Sequence, residues 1–333
     1  MQIFACPTCQ GRVYFHNLAC SCGQALVFSP EDQQMHALTE TDAAPDAKPE
    51  TTACANRADI GCNWTAEADG LCRSCAMTQV VPDLREPANL PLWSHAELAK
   101  RWVLANLGRW GWFTHTDPGQ RPVFHMLSEQ TAAGGETITM GHADGEITIN
   151  VTESSDAVLA RRQEELGELY RTMTGHIRHE IAHFLFLRLS DLPDFPPAFR
   201  ALFGDERADY GAALKAHYDA PKPPGNDHVT SYATAHPHED WAETIAHLLH
   251  LVDLADSGAA AGLIPFAPMD AYADTETDAI VSRAIDLSIA VNHVNRALDL
   301  PDVYPFVLTD GVRGKFAFAH GWLRMPKGHA STG

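Results

Sequence analysis

The chain has 333 residues, a formal net charge of −19 and 45% hydrophobic residues, enough for a sizeable core and for more than one small domain. So acidic a balance argues against nucleic acid as a partner, because binding a phosphate backbone depends on clustered lysine and arginine. No apolar run approaches the length of a membrane span, and no membrane partner is expected.

The eight cysteines all precede residue 76 and fall into two sets of four. Cys6-Pro7-Thr8-Cys9 with Cys20-Ser21-Cys22 forms two short knuckles, the usual way to place four thiolates around one zinc. Cys54 and Cys62 with the knuckle Cys72-Arg73-Ser74-Cys75 form the second set. The competing reading is a disulfide framework, but the first 26 residues lack the basic start and long apolar core of a signal peptide. Two structural zincs in a reducing, bacterial-type cytoplasm are therefore expected. An interleaved pairing, with Cys6, Cys9, Cys72 and Cys75 on one ion, stays open. Segments of roughly 25 residues cannot bury a core without metal, so the modules read as appendages that fold on their ions. The organisation is then a zinc ribbon at 1–30, a flexible acidic linker at 31–52, a second four-cysteine zinc module at 53–80 and a proline-bearing linker at 81–93.

The remaining domain, 94–325, opens at Ser94-His95-Ala96-Glu97, a capping box ahead of a helix to about Leu107 that stops at Gly108. Short strands are expected at 122–127 and 137–141, then a tight turn at Ala143-Asp144-Gly145-Glu146 into 147–151, with Ile147, Ile149 and Val151 on one face. From Glu153 onward the chain reads as mainly helical, so the class is α+β.

Within 166–189 the apolar residues Leu166, Leu169, Tyr170, Met173, Ile177, Ile181 and Leu185 recur at three- and four-residue spacing, the pattern of a long amphipathic helix adjusted at Gly175. It carries Arg178-His179-Glu180-Ile181-Ala182-His183. Two histidines one turn apart share a helix face and form half of a catalytic zinc site, with Glu180 in reach of a metal-bound water. A third ligand is expected from a separate segment. In His236-Pro237-His238-Glu239-Asp240-Trp241-Ala242-Glu243-Thr244 a helix can begin at Pro237, which places Glu239 and Glu243 on one face. Glu239 is assigned to the metal, and Glu243 to the free ring nitrogen of a ligand histidine, an arrangement that fixes tautomer and orientation. The reverse assignment stays open.

H-E-x-x-H followed by a helix bearing E-x-x-x-[DE] resembles the gluzincin plan of zinc peptidases. In its lethal factor branch a tyrosine seven residues before the ligand glutamate helps to stabilise the oxyanion, and Tyr232 in Thr230-Ser231-Tyr232-Ala233 stands at that offset from Glu239. The whole chain resembles a bacterial family described as zinc-binding metallopeptidases with an N-terminal zinc ribbon. The resemblance is carried by Cys6-Pro7-Thr8-Cys9, Gly175-His176-Ile177-Arg178-His179-Glu180, residues 231–237 with Glu239-Asp240-Trp241-Ala242-Glu243-Thr244, and Asn292-His293-Val294-Asn295-Arg296 with Tyr304-Pro305-Phe306. His238 departs from an aromatic residue in the family, and Ala182 from glycine; an imidazole beside Glu239 is a rival metal ligand. The resemblance also implies a small sheet whose edge strand pairs with extended substrate, and either strand of the 143–146 hairpin qualifies. An ordinary buried hairpin is the competing reading.

Together these readings predict a zinc peptidase with one catalytic and two structural Zn²⁺ ions. His179, His183 and Glu239 hold the catalytic ion, which lowers the pKa of a bound water. Glu180 takes the proton as that water attacks a peptide carbonyl, and by resemblance Tyr232 donates to the oxyanion. Tyr210 and Tyr218 are rivals for that last role. His176 shares the face of His179 and reads as a hydrogen-bonded core or surface histidine, with a site neighbour as the alternative; His142 is similarly ambiguous, and His247 and His250 read as packing or capping residues. Asn292, Asn295 and Arg296, on a helix expected at 278–298, read as a buried polar network that anchors that helix, with a substrate clamp as the alternative. The partners expected are a peptide or protein substrate and a protein contacted by the ribbons. The alternatives are a non-catalytic ribbon adaptor and a zinc hydrolase of another amide.

Overall fold

A computed structural model describes residues 3–38, 52–166, 172–264, 270–304 and 306–325. The chain forms two compact units, Met1–Glu168 with Thr172–Thr174, and Leu169–Arg171 with Gly175–Gly333. Among the described residues no helix is long and apolar enough to cross a membrane. Most of the expected acidic linker, 39–51, and the expected helical positions Leu169 and Tyr170 lie outside the described residues.

In the first unit, β1 (Phe4–Ala5) and β2 (Arg12–Val13) pair antiparallel around the first knuckle, and β3 (Leu26–Ser29) pairs with β4 (Gln34–Ala37). The residues at 34–37, expected to open the linker, are thus a strand. The two cysteine modules are joined directly. Phe28 donates its N–H to Asn63 O at 2.6 Å and accepts at its carbonyl from Thr65 N at 2.9 Å. Asn63, fully buried, donates to Phe15 O at 2.6 Å and accepts from Arg101 Nε at 3.0 Å. Phe15 meets Phe28 edge to face at 4.9 Å and Trp102 at 5.5 Å. The modules are therefore not separate appendages. Each is too small to bury its own aromatic residues, and they share one core instead.

After the short helices α1 (Arg57–Ile60) and α2 (Arg73–Ala76), strand β5 (Thr78–Val80) leads to α3 (Asn89–Gly108). This helix starts five residues before Ser94, with Pro91 tolerated in its first turn. Ser94 is no cap: its hydroxyl donates to Ile60 O at 3.0 Å. Glu97, expected in a capping box, is fully buried with Lys100, which sits 2.9 Å away, and it accepts from Thr78 Oγ1 at 2.6 Å. A buried carboxylate needs such partners, and this one ties α3 to β5.

The main sheet is ordered β5-β6-β10-β9, with β6 at Val123–Leu127, β9 at Gly141–Ala143 and β10 at Glu146–Asn150. A small hairpin of β7 (Gln130–Thr131) and β8 (Gly134–Gly135) intervenes in sequence. β10 runs parallel to β6 and antiparallel to β9. The expected turn is present: Asp144 (φ 50°) and Gly145 (φ 90°) both lie in the left-handed region that a two-residue hairpin demands. The strand expected at 137–141 begins only at Gly141. Helix α4 (Asp156–Leu166) follows, and the long helix expected over 166–189 is interrupted at Thr172, which is not helical.

The second unit is helical: α5 (Met173–Ser190), α6 (Phe195–Phe203), α7 (Tyr210–Asp219), a 3₁₀ turn at Tyr232–Thr234, α8 (Pro237–Ala260), α9 (Thr277–Ala297) and α10 (Asp310–Leu323). Pro237 opens α8 as expected. In α6, Phe195, Phe199 and Phe203 recur every four residues on one face and enclose the fully buried Trp241 of α8 at ring distances of 5.4, 5.9 and 5.8 Å. Beyond α9, Asn292 accepts from Val303 N at 2.7 Å, Asn295 donates to Pro301 O at 2.7 Å and Arg296 pairs with Asp302 at 2.7 Å. These three residues hold the following loop, but only Asn292 is buried, whereas Asn295 is half-buried and Arg296 exposed, so the buried network expected here is present only at Asn292.

The N-terminus of α10 clamps the loop that precedes the 3₁₀ turn. Thr309 donates to Asn226 O at 2.5 Å, and Lys315 donates to Asp227 O and to Asp240 Oδ2, each at 2.5 Å. A Cβ added at Gly311 would lie 2.5 Å from Asn226 O, whereas one at Gly314 would meet nothing within 4 Å. Chemical denaturation should therefore show opposite effects in one helix: Gly311→Ala loses about 1–3 kcal/mol through overpacking, and Gly314→Ala gains about 0.5–1 kcal/mol of helix propensity. Equal effects of one sign would contradict this packing.

Candidate metal centres

The cysteines resolve into the two sets expected in sequence order. Cys6, Cys9, Cys20 and Cys22 converge, as do Cys54, Cys62, Cys72 and Cys75, and none is in a disulfide. Interleaving is ruled out by distance: Cys9 and Cys20 sulfurs are 3.6 Å apart, Cys6 and Cys22 3.8 Å, and Cys62 and Cys72 3.6 Å. In the second set Cys72 N donates to Cys54 Sγ at 3.2 Å and Cys75 N to Cys72 Sγ at 3.3 Å, bonds that favour sulfur as thiolate. All four thiols of that set are buried, while Cys9 and Cys22 of the first are exposed. Four soft sulfurs at such separations fit a tetrahedral zinc.

The other centre lies between α5 and α8. Helical spacing stacks His179 on His183, with Nε2 to Nε2 at 3.2 Å. His179 Nε2 stands 3.0 Å from Glu239 Oε2, and His183 Nε2 3.6 Å from Glu239 Oε1. The other nitrogen of His179, Nδ1, donates to Glu243 Oε1 at 2.8 Å. Glu239 thus faces both imidazoles at their convergent nitrogens, and Glu243 faces only the far side of one. Glu180 is buried on α5 beside His179.

Burial opposes charge on His179, yet Glu239 and Glu243 at its two nitrogens hold its pKa well above the usual imidazole value. Burial likewise pushes Glu239 upward, but hydrogen bonds to His179 and His183 hold it well below the usual carboxylate range. The two imidazole Nε2 atoms and one carboxylate of Glu239 converge on one point. Borderline nitrogen donors with one carboxylate are the donor set that zinc accepts, so the residues fit that ion.

Two contacts were not signalled by spacing. Thr230 donates to Glu243 Oε2 at 2.7 Å, and Tyr210 donates to Glu239 Oε1 at 2.6 Å. Thr230 lies thirteen residues before Glu243, and only its nearness to the Ser231-Tyr232 stretch could have marked it. Tyr232 is placed with its ring 6.0 Å from that of His179 and 5.8 Å from that of His217, and burial raises its hydroxyl pKa. Tyr218 is largely exposed. His238, the feared rival ligand, stacks on His236 at 5.2 Å and meets Phe186 edge-on at 4.5 Å, outside the metal-facing cluster. His247 is buried, 3.0 Å from Tyr304 OH, and burial lowers its pKa to about 4. His250 packs against the Tyr304 ring at 5.4 Å. His176 joins neither ligand set, and His142 lies exposed on β9.

Residues 89–322 match the family model described as "Putative zinc-binding metallo-peptidase", and residues 3–86 match a zinc-ribbon domain. Uncharacterized proteins of Mycobacterium bovis and of two Mycobacterium tuberculosis strains are 39% identical over 338 residues, spanning 96% of this chain and 94% of theirs. No solved structure matches.

Because the ribbons depend on thiolate metal, stripping zinc with a strong chelator should expose the amides of 3–38 and 52–80 to rapid hydrogen exchange while α8 and α9 stay protected. Unchanged protection of both ribbon segments after complete zinc removal would show that their shared aromatic core suffices alone.

Proposed function

Since the chain belongs to this family of zinc-binding metallo-peptidases, we propose that it hydrolyses peptide bonds at the centre formed by α5 and α8. The observation that supports this most is the convergence of His179 Nε2, His183 Nε2 and Glu239 on one point, with His179 Nδ1 tied to Glu243. A zinc ion held by these three residues would supply Lewis acidity and lower the pKa of water toward ~7. Glu180 accepts the proton of the attacking water and passes it to the leaving amine. Tyr232 donates to the oxyanion that develops on the carbonyl. Glu243, steadied by Thr230, keeps the proton of His179 on Nδ1 and so leaves the Nε2 lone pair for the ion. We place the chain in a reducing, cytoplasmic setting, because cysteine quartets without disulfides are usual where thiols stay reduced. The substrate is a peptide or protein, and the ribbons supply a protein-contacting surface.

This ligand set predicts three zincs per chain by elemental analysis, two of them thiolate-held and one labile. Glu239→Ala should lose the labile ion, and Glu243→Ala should weaken it by roughly 10- to 100-fold. Loss in Glu243→Ala with retention in Glu239→Ala would reverse the two roles.

Glu180→Gln keeps side-chain size but cannot take the water proton, so it should retain fold and zinc while losing cleavage of a denatured proteome, read as new peptide termini. Tyr232→Phe should cost about 10²- to 10³-fold in turnover, the usual effect of one oxyanion donor. New termini appearing equally with wild type and Glu180→Gln would refute the mechanism.

A further inference from the structure

Helix α7 presents a puzzle of packing. None of its ten residues is fully buried; only Ala213, Leu214 and His217 are half-buried. Asp209 caps its start by accepting from Ala212 N at 2.9 Å, and its Lys215–Asp219 pair is exposed, where it contributes little. Two of its side chains, seven residues apart and so on one face, make polar or ring contacts toward the centre. Tyr210 donates to Glu239 Oε1 and meets the His236 ring at 5.2 Å; His217 lies edge-on to Tyr232 at 5.8 Å. The three contacts end on Glu239 of the α5–α8 centre, on His236 at the start of α8 and on the turn beside it.

We infer that Tyr210 is a positioning residue of this centre: its hydroxyl occupies Glu239 Oε1 and leaves Oε2, the oxygen 3.0 Å from His179 Nε2, as the single ligand oxygen of that carboxylate. The inference rests on the metal assignment proposed above. Its physical reason is that a carboxylate on a long, rotatable side chain can bind an ion through one oxygen or both. A hydrogen bond from a hydroxyl to one oxygen selects the first mode and removes rotational freedom before the ion arrives. A one-oxygen carboxylate with two imidazoles also keeps the fourth position open, which hydrolysis requires. Tyr210 thereby acts on Glu239 as Glu243, itself held by Thr230, acts on His179, so that two of the three ligands have their own restraint.

The test uses the full chain with both thiolate zincs in place and the labile ion removed by a weak chelator. Zinc affinity of the emptied centre is measured by chelator competition, and cobalt is added there for its visible spectrum, whose intensity reports coordination number. Tyr210→Phe should weaken zinc by roughly 10- to 100-fold and lower the cobalt band intensity, with the thiolate zincs retained as an internal reference. His217→Ala loosens the same helix without touching Glu239 and should leave affinity within about threefold of wild type. Wild-type affinity and spectrum in Tyr210→Phe, with the ion lost in Glu239→Ala, would overturn the inference alone. Equal weakening by His217→Ala would overturn it in favour of simple helix docking. Retention of the labile ion by Glu239→Ala would instead refute the ligand set beneath it.

Discussion

The indole N–H of Trp241 donates to the carbonyl of Ala182 at 2.9 Å, a bond that joins α5 to α8 at the level of the convergent side chains. Ala182 lies between His179 and His183 on α5, and Trp241 lies between Glu239 and Glu243 on α8. This buried contact, together with the buried Arg178–Asp253 ion pair further along, sets the register of the two helices that carry the convergent side chains. The bond is hard to relinquish, because a buried indole N–H left without a partner costs about 1–3 kcal/mol. The phenylalanines of α6 enclose the ring on its other sides, so neither helix can slide by a turn without opening the core.

With register fixed, the chemistry becomes a matter of charge. The first two turns of α8 hold three buried or half-buried acids, and each has its own partner. Glu239 faces His179, His183 and Tyr210, and Glu243 faces His179 and Thr230. Asp240 turns away to Lys315 of α10, although burial still pushes its pKa up to about 7. Lys315 also holds the carbonyl of Asp227, so the same cation neutralises α8 and fixes the loop that ends in Thr230 and Tyr232. Two carboxylates directed at adjacent imidazoles suit a cation, and a purely apolar packing role would not retain them.

Residues one helical turn apart, such as His179 with His183 and Glu239 with Glu243, could be read from the chain because helix geometry alone brings them together. The same holds for the cysteine knuckles and the Asp144-Gly145 turn, whose chemistry is local. Tyr210 and Thr230 could not be assigned, since their contacts depend on how α7 and a loop return to α8. The extent of α3 was misjudged for a related reason. Ser94 and Glu97 carry a capping signature, but tertiary partners, Ile60 and Thr78, claim both side chains. Likewise β5 is too short to show alternation, so the continuity of the second cysteine module with the main sheet was not apparent in the residues themselves.

Diffraction from the zinc-loaded protein on both sides of the zinc absorption edge tests the proposed centre most directly. An anomalous peak is expected about 2.0–2.2 Å from His179 Nε2, His183 Nε2 and one oxygen of Glu239, alongside one in each cysteine quartet. Two occupied cysteine quartets with no peak between α5 and α8 would contradict it.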